Sequence, residues 1–264
     1  MITRADIAHW RTQVPWVSAE HVEQDLVLSR LIVEIARHPL LGQELVFRGS
    51  TCLHKLWLDR PWRYSEDLDY VRRCGGGIGG VLDAIREIAE TVGFDDVRTD
   101  TRTQHPKARL RARYESGGPF HAKVEINTFE RSPARPIVTR PCVVDSPWFR
   151  GASDVPTFCA PEMMATKIRA LYQRSKGRDL FDLWLAVNHL GLDPGDIAAC
   201  FDTYRPDGWS AGRAMDNLDQ KLETSAFASD LAPLVAEWPA GYSIDAGRAA
   251  AEAIIHAIDA RSES

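Results

Sequence analysis

The first forty residues place their apolar positions with the period of a helix. A run that opens at Ser18 carries apolar residues three and four positions apart, at Val22, Leu26, Leu28, Leu31, Ile32 and Ile35. This spacing predicts a helix with one buried stripe. The dipeptide His38-Pro39 predicts its end, because proline disfavours a helical conformation in the residue before it.

From residue 45 the pattern changes to short apolar runs that are typical of strands. Strands are predicted at 45–47, 68–71, 97–101, 108–114 and 121–128. The last run alternates: Ala122, Val124 and Ile126 share one face, and His121, Lys123, Glu125 and Asn127 share the other. A helical pattern at 81–92 ends at Gly93.

The second half of the chain is predicted to be mostly helical. The proline-rich segment 133–156 is interpreted as a linker that includes one strand at 136–144. Helices are predicted at 161–173, 178–189, 194–204, 212–222, 226–235 and 244–260. Strands followed by helices indicate an α+β fold, with a core domain over 1–156 and a helical domain over 157–264.

Composition fits a globular protein. The chain has 264 residues, of which 44% are hydrophobic and 26% charged. It has no apolar run of membrane-spanning length and no signal-peptide pattern, so we expect a cytoplasmic protein without a membrane partner. The five cysteines contain no C-x-x-C pair, which predicts reduced thiols and disfavours a zinc site; they are Cys52, Cys74, Cys142, Cys159 and Cys200.

Charge is distributed unevenly around a net value of −5. Residues 98–140 contain ten Lys or Arg against four Asp or Glu, and 163–178 contain five basic residues and no acid. Residues 179–264 reverse this balance, with fifteen acids against five basic residues. Any single run of charge suits a solvated surface. Two basic stretches near a phosphate-binding motif favour a polyanionic substrate.

Two carboxylates predict a metal site in the second apolar run. Asp67 and Asp69 are two residues apart in a predicted strand, so both side chains point to one face. Neighbouring carboxylates are costly unless a cation neutralises them. Mg²⁺ or Mn²⁺ suits the pair, because such ions bind one or two carboxylates together with substrate phosphates.

A turn at Gly49-Ser50 predicts where the phosphates bind. It follows the first apolar run and precedes a helix-like segment, whose free N–H groups attract anions. This turn and the Asp67-x-Asp69 pair together predict a site for a nucleoside triphosphate. The glycine-rich segment 75–80 is interpreted as a flexible connector, because it lacks the strand-to-helix context of a phosphate loop.

These motifs resemble a known superfamily. Gly49-Ser50 followed by Asp67-x-Asp69 is similar to the defining motif of the DNA polymerase β-like nucleotidyltransferases. Segments 48–55 and 63–69 resemble one branch, the AbiEii-like toxins of bacterial toxin–antitoxin systems, including the MenT type. In this chain Arg48 replaces the usual lysine and Ser50 replaces a second glycine, and both changes keep the chemistry.

The resemblance implies a third acid, a substrate and a partner. Glu125 is the candidate for the carboxylate that the superfamily places on a neighbouring strand, and the alternative is a surface glutamate paired with Lys123 or Arg111. The implied acceptor is the 3′ end of tRNA or another RNA, and the implied outcome is a block of translation. A cognate antitoxin is an implied partner, and in MenT-type relatives a serine at the position of Ser65 can be phosphorylated, which would repel the nucleotide.

A second group of residues resembles the K-x-x-D-x-x-D motif of the same branch. Lys176, Asp179 and Asp182 fall at i, i+3 and i+6, and Lys167 lies twelve residues before Asp179. The resemblance implies phosphate binding by Lys167 and Lys176, a catalytic or orienting role for Asp179, and a pairing of Asp182 with Lys176 or Arg178. The alternative is an exposed, salt-bridged helical hairpin.

Lys55 and the reaction itself leave alternatives open. Lys55 lies on the helix-like segment after Ser50 and is either a triphosphate ligand or a surface lysine. The predicted reaction is attack of an acceptor hydroxyl on the α-phosphorus with release of pyrophosphate. The alternatives are modification of a small molecule or of a protein hydroxyl, transfer of the γ-phosphate, and a binding module without catalysis that sequesters RNA or a partner.

Overall fold

The computed structural model describes residues 2–262 and divides into two compact units. The first unit contains the residues up to Ser132 together with Ile137–Phe158. The second contains Pro133–Pro136 and the residues from Cys159 onward. The predicted domains, 1–156 and 157–264, stay a prediction.

The first unit is built on a mixed sheet of seven strands. Its strands are β1 (Leu45–Arg48), β2 (Asp67–Arg72), β3 (Asp96–Asp100), β4 (Lys107–Arg113), β5 (Pro119–Asn127), β6 (Val138–Asp145) and β7 (Arg150–Thr157). They lie in the order β3-β4-β5-β2-β1-β7-β6. The pairs β2/β5 and β1/β7 are parallel, and the other neighbours are antiparallel. The predicted α+β fold is confirmed.

The helices of this unit bury their apolar sides. They are α1 (Arg4–Trp10), α2 (Ala19–Arg37), α3 (Leu41–Glu44), α4 (Gly49–Cys52) and α5 (Gly79–Val92), with a π-helical turn at Leu53–Trp57 after α4. Ser18 caps α2 by accepting a hydrogen bond from the His21 N–H. Helix α5 ends at Gly93, whose left-handed φ of 109° suits glycine.

The segment 133–156 is not the linker that its prolines predict, and that prediction is wrong for most of its length. Its residues form the hairpin β6–β7, and β7 joins the main sheet through the pairing of Phe47 with Thr157. Strand β7 reads RGASDVPT and has little apolar alternation. Long-range pairing therefore makes β7 a strand where its local pattern does not.

The second unit is helical. Its helices are α6 (Ala160–Gln173), α7 (Gly177–Asn188), α8 (Pro194–Phe201), α9 (Ala211–Leu222), α10 (Ser225–Ser229) and α11 (Ile244–Ser262). The predicted helix 226–235 is shorter, because a 3₁₀ turn at Ala232–Leu234 follows α10. Pro161 and Pro194 occupy first-turn positions, as predicted. Within residues 2–262, no helix has the length and apolar character needed to cross a membrane.

Candidate active site

Three predicted acids share one face of the sheet, where β2 lies between β1 and β5. Asp67 and Asp69 are two residues apart on β2. The parallel register of β2 and β5 places Asp69 opposite Glu125, and the antiparallel register of β1 and β2 places Asp69 opposite Arg48. Residues directly opposite on paired strands point to the same face. The sheet therefore brings Asp67, Asp69 and Glu125 together.

The turn at Gly49 touches this acidic group. Gly49 has a left-handed φ of +81°, and a Cβ added there would lie 2.6 Å from Asp69 Oδ2. A side chain at this position would be strained by its backbone and would collide with the carboxylate. Glycine thus allows the start of α4 to pack directly against Asp69. The predicted phosphate-binding turn and the predicted metal ligand are immediate neighbours.

A buried hydroxyl fixes the turn to the acidic strand. Thr51 is 2% exposed, and its Oγ1 donates to the backbone carbonyl of Asp67 at 2.5 Å. The same hydroxyl lies 2.8 Å from the Ser65 hydroxyl. These contacts connect α4, the loop before β2 and the first acid of the pair. Through Thr51, the predicted phosphorylation site Ser65 is therefore linked to the Asp67 backbone.

Asp69 and Glu125 differ in their electrostatic surroundings. Burial and the nearby charge of Asp67 raise the pKa of Asp69, and the cation of Arg48 offsets only part of this effect. Burial also acts to raise the pKa of Glu125, but hydrogen bonding to Lys107 and the charge of Lys123 lower it overall. Asp69 is therefore a carboxylate whose charge is poorly compensated by the protein.

Two lysines hold the outer acids. Lys123 Nζ lies 3.0 Å from Asp67 Oδ2 and 3.3 Å from Glu125 Oε2, and Lys107 Nζ lies 3.1 Å from Glu125 Oε2. The alternative weighed for Glu125, a pairing with Lys123 or Arg111, is present in the Lys123 contact, while Arg111 lies 4.0 Å from Asp96. Glu125 thus stays in the acidic group and is ion-paired there.

The acid pair fits a divalent cation whose remaining ligands would be oxygens of the substrate. Among the described residues, no three His, Cys, Asp or Glu side chains converge as a preformed metal centre. Asp67 and Asp69 supply two carboxylates on one face, and burial with the neighbouring Asp67 charge raises the pKa of Asp69, so its negative charge is disfavoured without a cation. Mg²⁺ binds in this manner, through one or two carboxylates and the phosphates of its substrate.

Arg48 and Lys55 have acidic partners of their own. Arg48 Nη1 donates to Glu130 Oε2 at 2.5 Å. Lys55 Nζ lies 2.6 Å from Asp25 Oδ1 on α2 and donates to the Ser29 hydroxyl at 2.8 Å. The Lys55 side chain is 13% exposed and paired, so it is not the surface lysine that the sequence left as one alternative. Its role as a triphosphate ligand stays a prediction.

The residues of the second motif form a buried ionic group within the second unit. Lys167 Nζ lies 3.1 Å from Asp179 Oδ1 and 3.0 Å from Asp182 Oδ2. Arg174 Nε donates to Asp179 Oδ2 at 2.7 Å. Both carboxylates are fully buried. Burial acts to raise the pKa of Asp179, but Lys167 and Arg174 lower it overall.

Two pairings predicted for this motif are corrected. Asp182 pairs with Lys167 rather than with Lys176 or Arg178. Lys176 Nζ and Arg178 Nη1 instead lie 3.4 and 3.6 Å from Asp230 Oδ1, just after α10. The exposed hairpin weighed as an alternative also fails, because its acids are buried. Helical spacing identified the charged residues but not their partners, since Asp230 is remote in sequence.

Several residues that build these groups were missed by the sequence analysis. Thr51, Lys107 and Arg174 make the contacts described above, and Glu162 accepts hydrogen bonds from the Ala134 and Arg135 N–H groups. The proximity of Thr51 to the Gly49-Ser50 turn was a usable signal. The partner of Lys107 depends on the register of β4 and β5. The partners of Glu162 lie in a segment about thirty residues earlier that folds back against α6. Neither arrangement leaves a local sequence pattern.

The chain is similar to known proteins in sequence and in fold. The chain matches a family model described as the nucleotidyl transferase AbiEii toxin of a type IV toxin–antitoxin system, over residues 30–246. Its structure is similar to MenT4, the nucleotidyltransferase toxin Rv2826c from Mycobacterium tuberculosis H37Rv, with a TM-score of 0.59 and 18% identity, covering 98% of this chain and 90% of that one. This likeness shows a shared fold.

A second solved structure is more distant. It is an antigenic nucleotidyltransferase-like protein from Paracoccidioides brasiliensis, with a TM-score of 0.38 and 16% identity, covering 78% of this chain and 94% of that one, and no argument rests on it. No curated protein sequence matches the chain.

Proposed function

The chain belongs to the AbiEii family of nucleotidyl transferase toxins from toxin–antitoxin systems, and we propose that its acceptor is RNA. In this proposal the chain transfers a nucleotide from a nucleoside triphosphate to the 3′ end of tRNA and blocks translation in the cytoplasm. The observation that supports the proposal is the close approach of the Gly49 turn, which is predicted to bind phosphate, to Asp69 of the acid pair.

Asp67 and Asp69 are the residues that would hold Mg²⁺ or Mn²⁺. The cation, when bound, would neutralise the triphosphate and polarise its α-phosphate. Gly49 and Ser50 would bind the phosphate tail. Thr51 would keep this turn at a fixed distance from β2, because its hydroxyl donates to the Asp67 carbonyl at 2.5 Å. The chain's main contribution is then positioning and charge neutralisation.

Glu125 is suited to take the proton of the acceptor hydroxyl. The hydroxyl oxygen forms a new bond to the α-phosphorus, the bond from that phosphorus to the bridging oxygen breaks, and pyrophosphate leaves. Glu125 is the candidate proton acceptor because it lies on β5 opposite Asp69. Its pKa is lowered overall by Lys107 and Lys123, so it would act as an ionised but weak base. Lys123, which lies 3.0 Å from Asp67 and 3.3 Å from Glu125, would orient both acids.

The second motif has a structural role in this proposal. Lys167, Asp179 and Asp182 neutralise one another in a fully buried group, so Lys167 is not free to bind phosphate as it stands. Lys176 is partly exposed and pairs with Asp230 at 3.4 Å, which leaves it the better phosphate ligand of the two lysines. We therefore assign Asp179 to holding α6 and α7 together.

Ser65 is a candidate point of control by an antitoxin. Its hydroxyl lies 2.8 Å from Thr51, whose own hydroxyl is bonded to the Asp67 carbonyl. A phosphate on Ser65 would add negative charge beside the acid pair and would disturb the Thr51 contact. Both effects would oppose binding of the triphosphate.

The test is transfer of labelled nucleotide. The wild type and Asp67→Ala are incubated with total tRNA and each α-labelled triphosphate in turn, with γ-labelled triphosphate in parallel. The proposal predicts α-label on tRNA for the wild type only. Transfer of the γ-label would indicate a phosphotransferase. Appearance of the α-label on protein or on a small molecule would show that the acceptor is not RNA.

A further inference from the structure

A row of cations crosses three strands and ends at the acid pair. The register places Arg98 of β3 opposite Arg109 of β4, Arg109 opposite Lys123 of β5, and Lys123 opposite Asp67 of β2. Directly opposite residues share a face, so the three cations form one line that we call the basic row. With strands roughly 4.8 Å apart, the row and Asp67 together span roughly 14 Å.

The neighbouring rows on the same face are arranged differently. In one, Asp96 lies opposite Arg111. In the other, Asp100 lies opposite Lys107, and Lys107 lies opposite Glu125. Opposite charges across strands are stabilising and like charges are destabilising. Between β3 and β4 the basic row is therefore unfavourable for the folded sheet by itself, whereas the rows on both sides of it pair opposite charges there.

Arg109 is the least compensated member of the basic row. It is exposed, and among residues 2–262 no carboxylate oxygen lies within 4 Å of its guanidinium. Arg98 pairs with Asp96 at 2.8 Å, and Lys123 pairs with Asp67 at 3.0 Å. Arg109 lines a cavity of about 360 Å³ that also meets Arg111, His121, Lys123, Glu66 and Asp67.

The basic row and the phosphate-binding turn approach the acids from opposite sides. In the sheet order, β4 and β5 lie on one side of β2, and β1, which leads into the Gly49 turn, lies on the other. A donor triphosphate bound at Gly49 would leave the β5 side open to the acceptor. An acceptor with a flexible chain of phosphates suits a line of cations, because phosphate contacts need no base sequence.

We propose that the basic row of Arg98, Arg109 and Lys123 binds the sugar-phosphate backbone of a single-stranded RNA end and leads its terminal hydroxyl to Asp67. This assignment rests on the proposed transfer to RNA and adds the surface that receives the acceptor. We choose a single strand rather than a duplex because the reacting hydroxyl lies at a chain end, and because Arg109, Lys123 and Asp67 line one cavity.

The test is the salt dependence of RNA binding. A short single-stranded RNA with a fluorophore at its 5′ end is titrated with the wild type, Arg109→Ala and Arg109→Lys at several salt concentrations. Arg109→Ala is expected to weaken binding about tenfold and to lower the slope of log K against log salt by about 0.7. Arg109→Lys should restore the slope, because the charge remains.

Arg86→Ala is the matched control. Arg86 carries the same charge on α5, pairs with Asp83 at 2.6 Å and belongs to a helix that packs against β3 and β4 through its apolar side. Its substitution is expected to leave the RNA affinity and the salt slope unchanged. Thermal unfolding of each variant verifies that the fold is retained.

The outcomes separate this inference from the proposed function. Equal RNA affinity and equal slope in the wild type and Arg109→Ala would overturn the inference, even if the wild type transfers nucleotide to tRNA. An equal loss of affinity for a non-hydrolysable triphosphate would also overturn it, because the row would then bind the donor. RNA binding that depends on Arg109 would support it, even if the labelled nucleotide were found on another acceptor.

Discussion

Two acidic groups in this chain use the same residue type in opposite ways. In the first unit, Asp67 and Asp69 lie on one strand and Asp67 lines an open cavity. Burial together with the neighbouring charge of Asp67 raises the pKa of Asp69. In the second unit, Asp179 and Asp182 are fully buried, and Lys167 and Arg174 hold the pKa of Asp179 below its ordinary value.

The difference teaches how to separate a functional from a structural carboxylate. A buried acid that is matched by cations contributes to the fold and leaves no charge for a ligand. An acid that stays poorly compensated beside a cavity is destabilising until something cationic binds. Both groups belong to motifs that resemble the same family, so the motif alone does not make this distinction.

The largest expected effect is the loss of transfer in Asp69→Asn. Removing this charge should lower the rate of transfer by roughly a thousandfold, which corresponds to about 4 kcal/mol of charge stabilisation. The rate is measured by incorporation of α-labelled nucleotide. Asp83→Asn, an exposed change on α5, is the control and should keep full activity. Retained activity in Asp69→Asn would show that transfer does not depend on the acid pair.

The second-largest effect is a loss of stability when the buried ionic group of Lys167, Asp179 and Asp182 is broken. Asp179→Asn leaves Lys167 and Arg174 without one buried partner, and we expect the free energy of unfolding to fall by about 3–5 kcal/mol. Denaturant unfolding followed by circular dichroism measures it. Asp219→Asn, which breaks a solvent-exposed pair with Arg248, should have little effect. A small change in Asp179→Asn would place this residue among the functional acids instead.

The third effect is at the glycine that touches Asp69. Gly49→Ala combines a left-handed backbone with a Cβ 2.6 Å from Asp69 Oδ2, and it should cost about 1–3 kcal/mol of stability and also weaken triphosphate binding. Gly117→Ala has a similar φ of +88° with no atom within 4 Å of the added Cβ. If both variants weaken triphosphate binding alike, the Gly49 contact is not part of the site.

The smallest effect is a pH dependence of opposite sign in the two groups. The folded, metal-free protein holds a proton on Asp69 more tightly than the unfolded chain, so this contribution to stability is lost as pH rises through the raised pKa. Asp179 has a lowered pKa, so its contribution is present above its unfolded value and is lost as pH falls through its folded pKa.

The measurement is the free energy of unfolding in EDTA across the acid range, for the wild type and each variant. As pH rises through the raised pKa of Asp69, the wild type should lose stability relative to Asp69→Asn. As pH rises from the lowered pKa of Asp179 to its unfolded value, the wild type should gain stability relative to Asp179→Asn. The same sign for both differences would contradict the distinction between the two groups.

Short-range patterns predicted the core of this site. The spacing of Asp67 and Asp69, the Gly49-Ser50 turn and the alternation of β5 around Glu125 are all local, so they were visible in the sequence. Strand β7 was hidden, because its conformation depends on pairing with β6 and β1. Local spacing reports which face a residue occupies, and it says little about distant partners.

Ionic partners were the weakest part of the prediction. Asp182 was expected to pair with Lys176 or Arg178, but both of these pair with Asp230. Lys55 was left open between a triphosphate ligand and a surface lysine, and its pairing with Asp25 on α2 was not foreseen. A long side chain can reach several acids, and the packing of distant helices decides which one it meets.

The most direct test of the acid pair is binding of a non-hydrolysable nucleoside triphosphate with and without Mg²⁺, measured by calorimetry in the wild type and Asp69→Asn. The account predicts that Mg²⁺ strengthens binding to the wild type by about tenfold or more, as expected for an ion shared between carboxylates and phosphates. It also predicts that Asp69→Asn loses this Mg²⁺ dependence. An equal Mg²⁺ dependence in both proteins would contradict the assignment of Asp69 as a metal ligand.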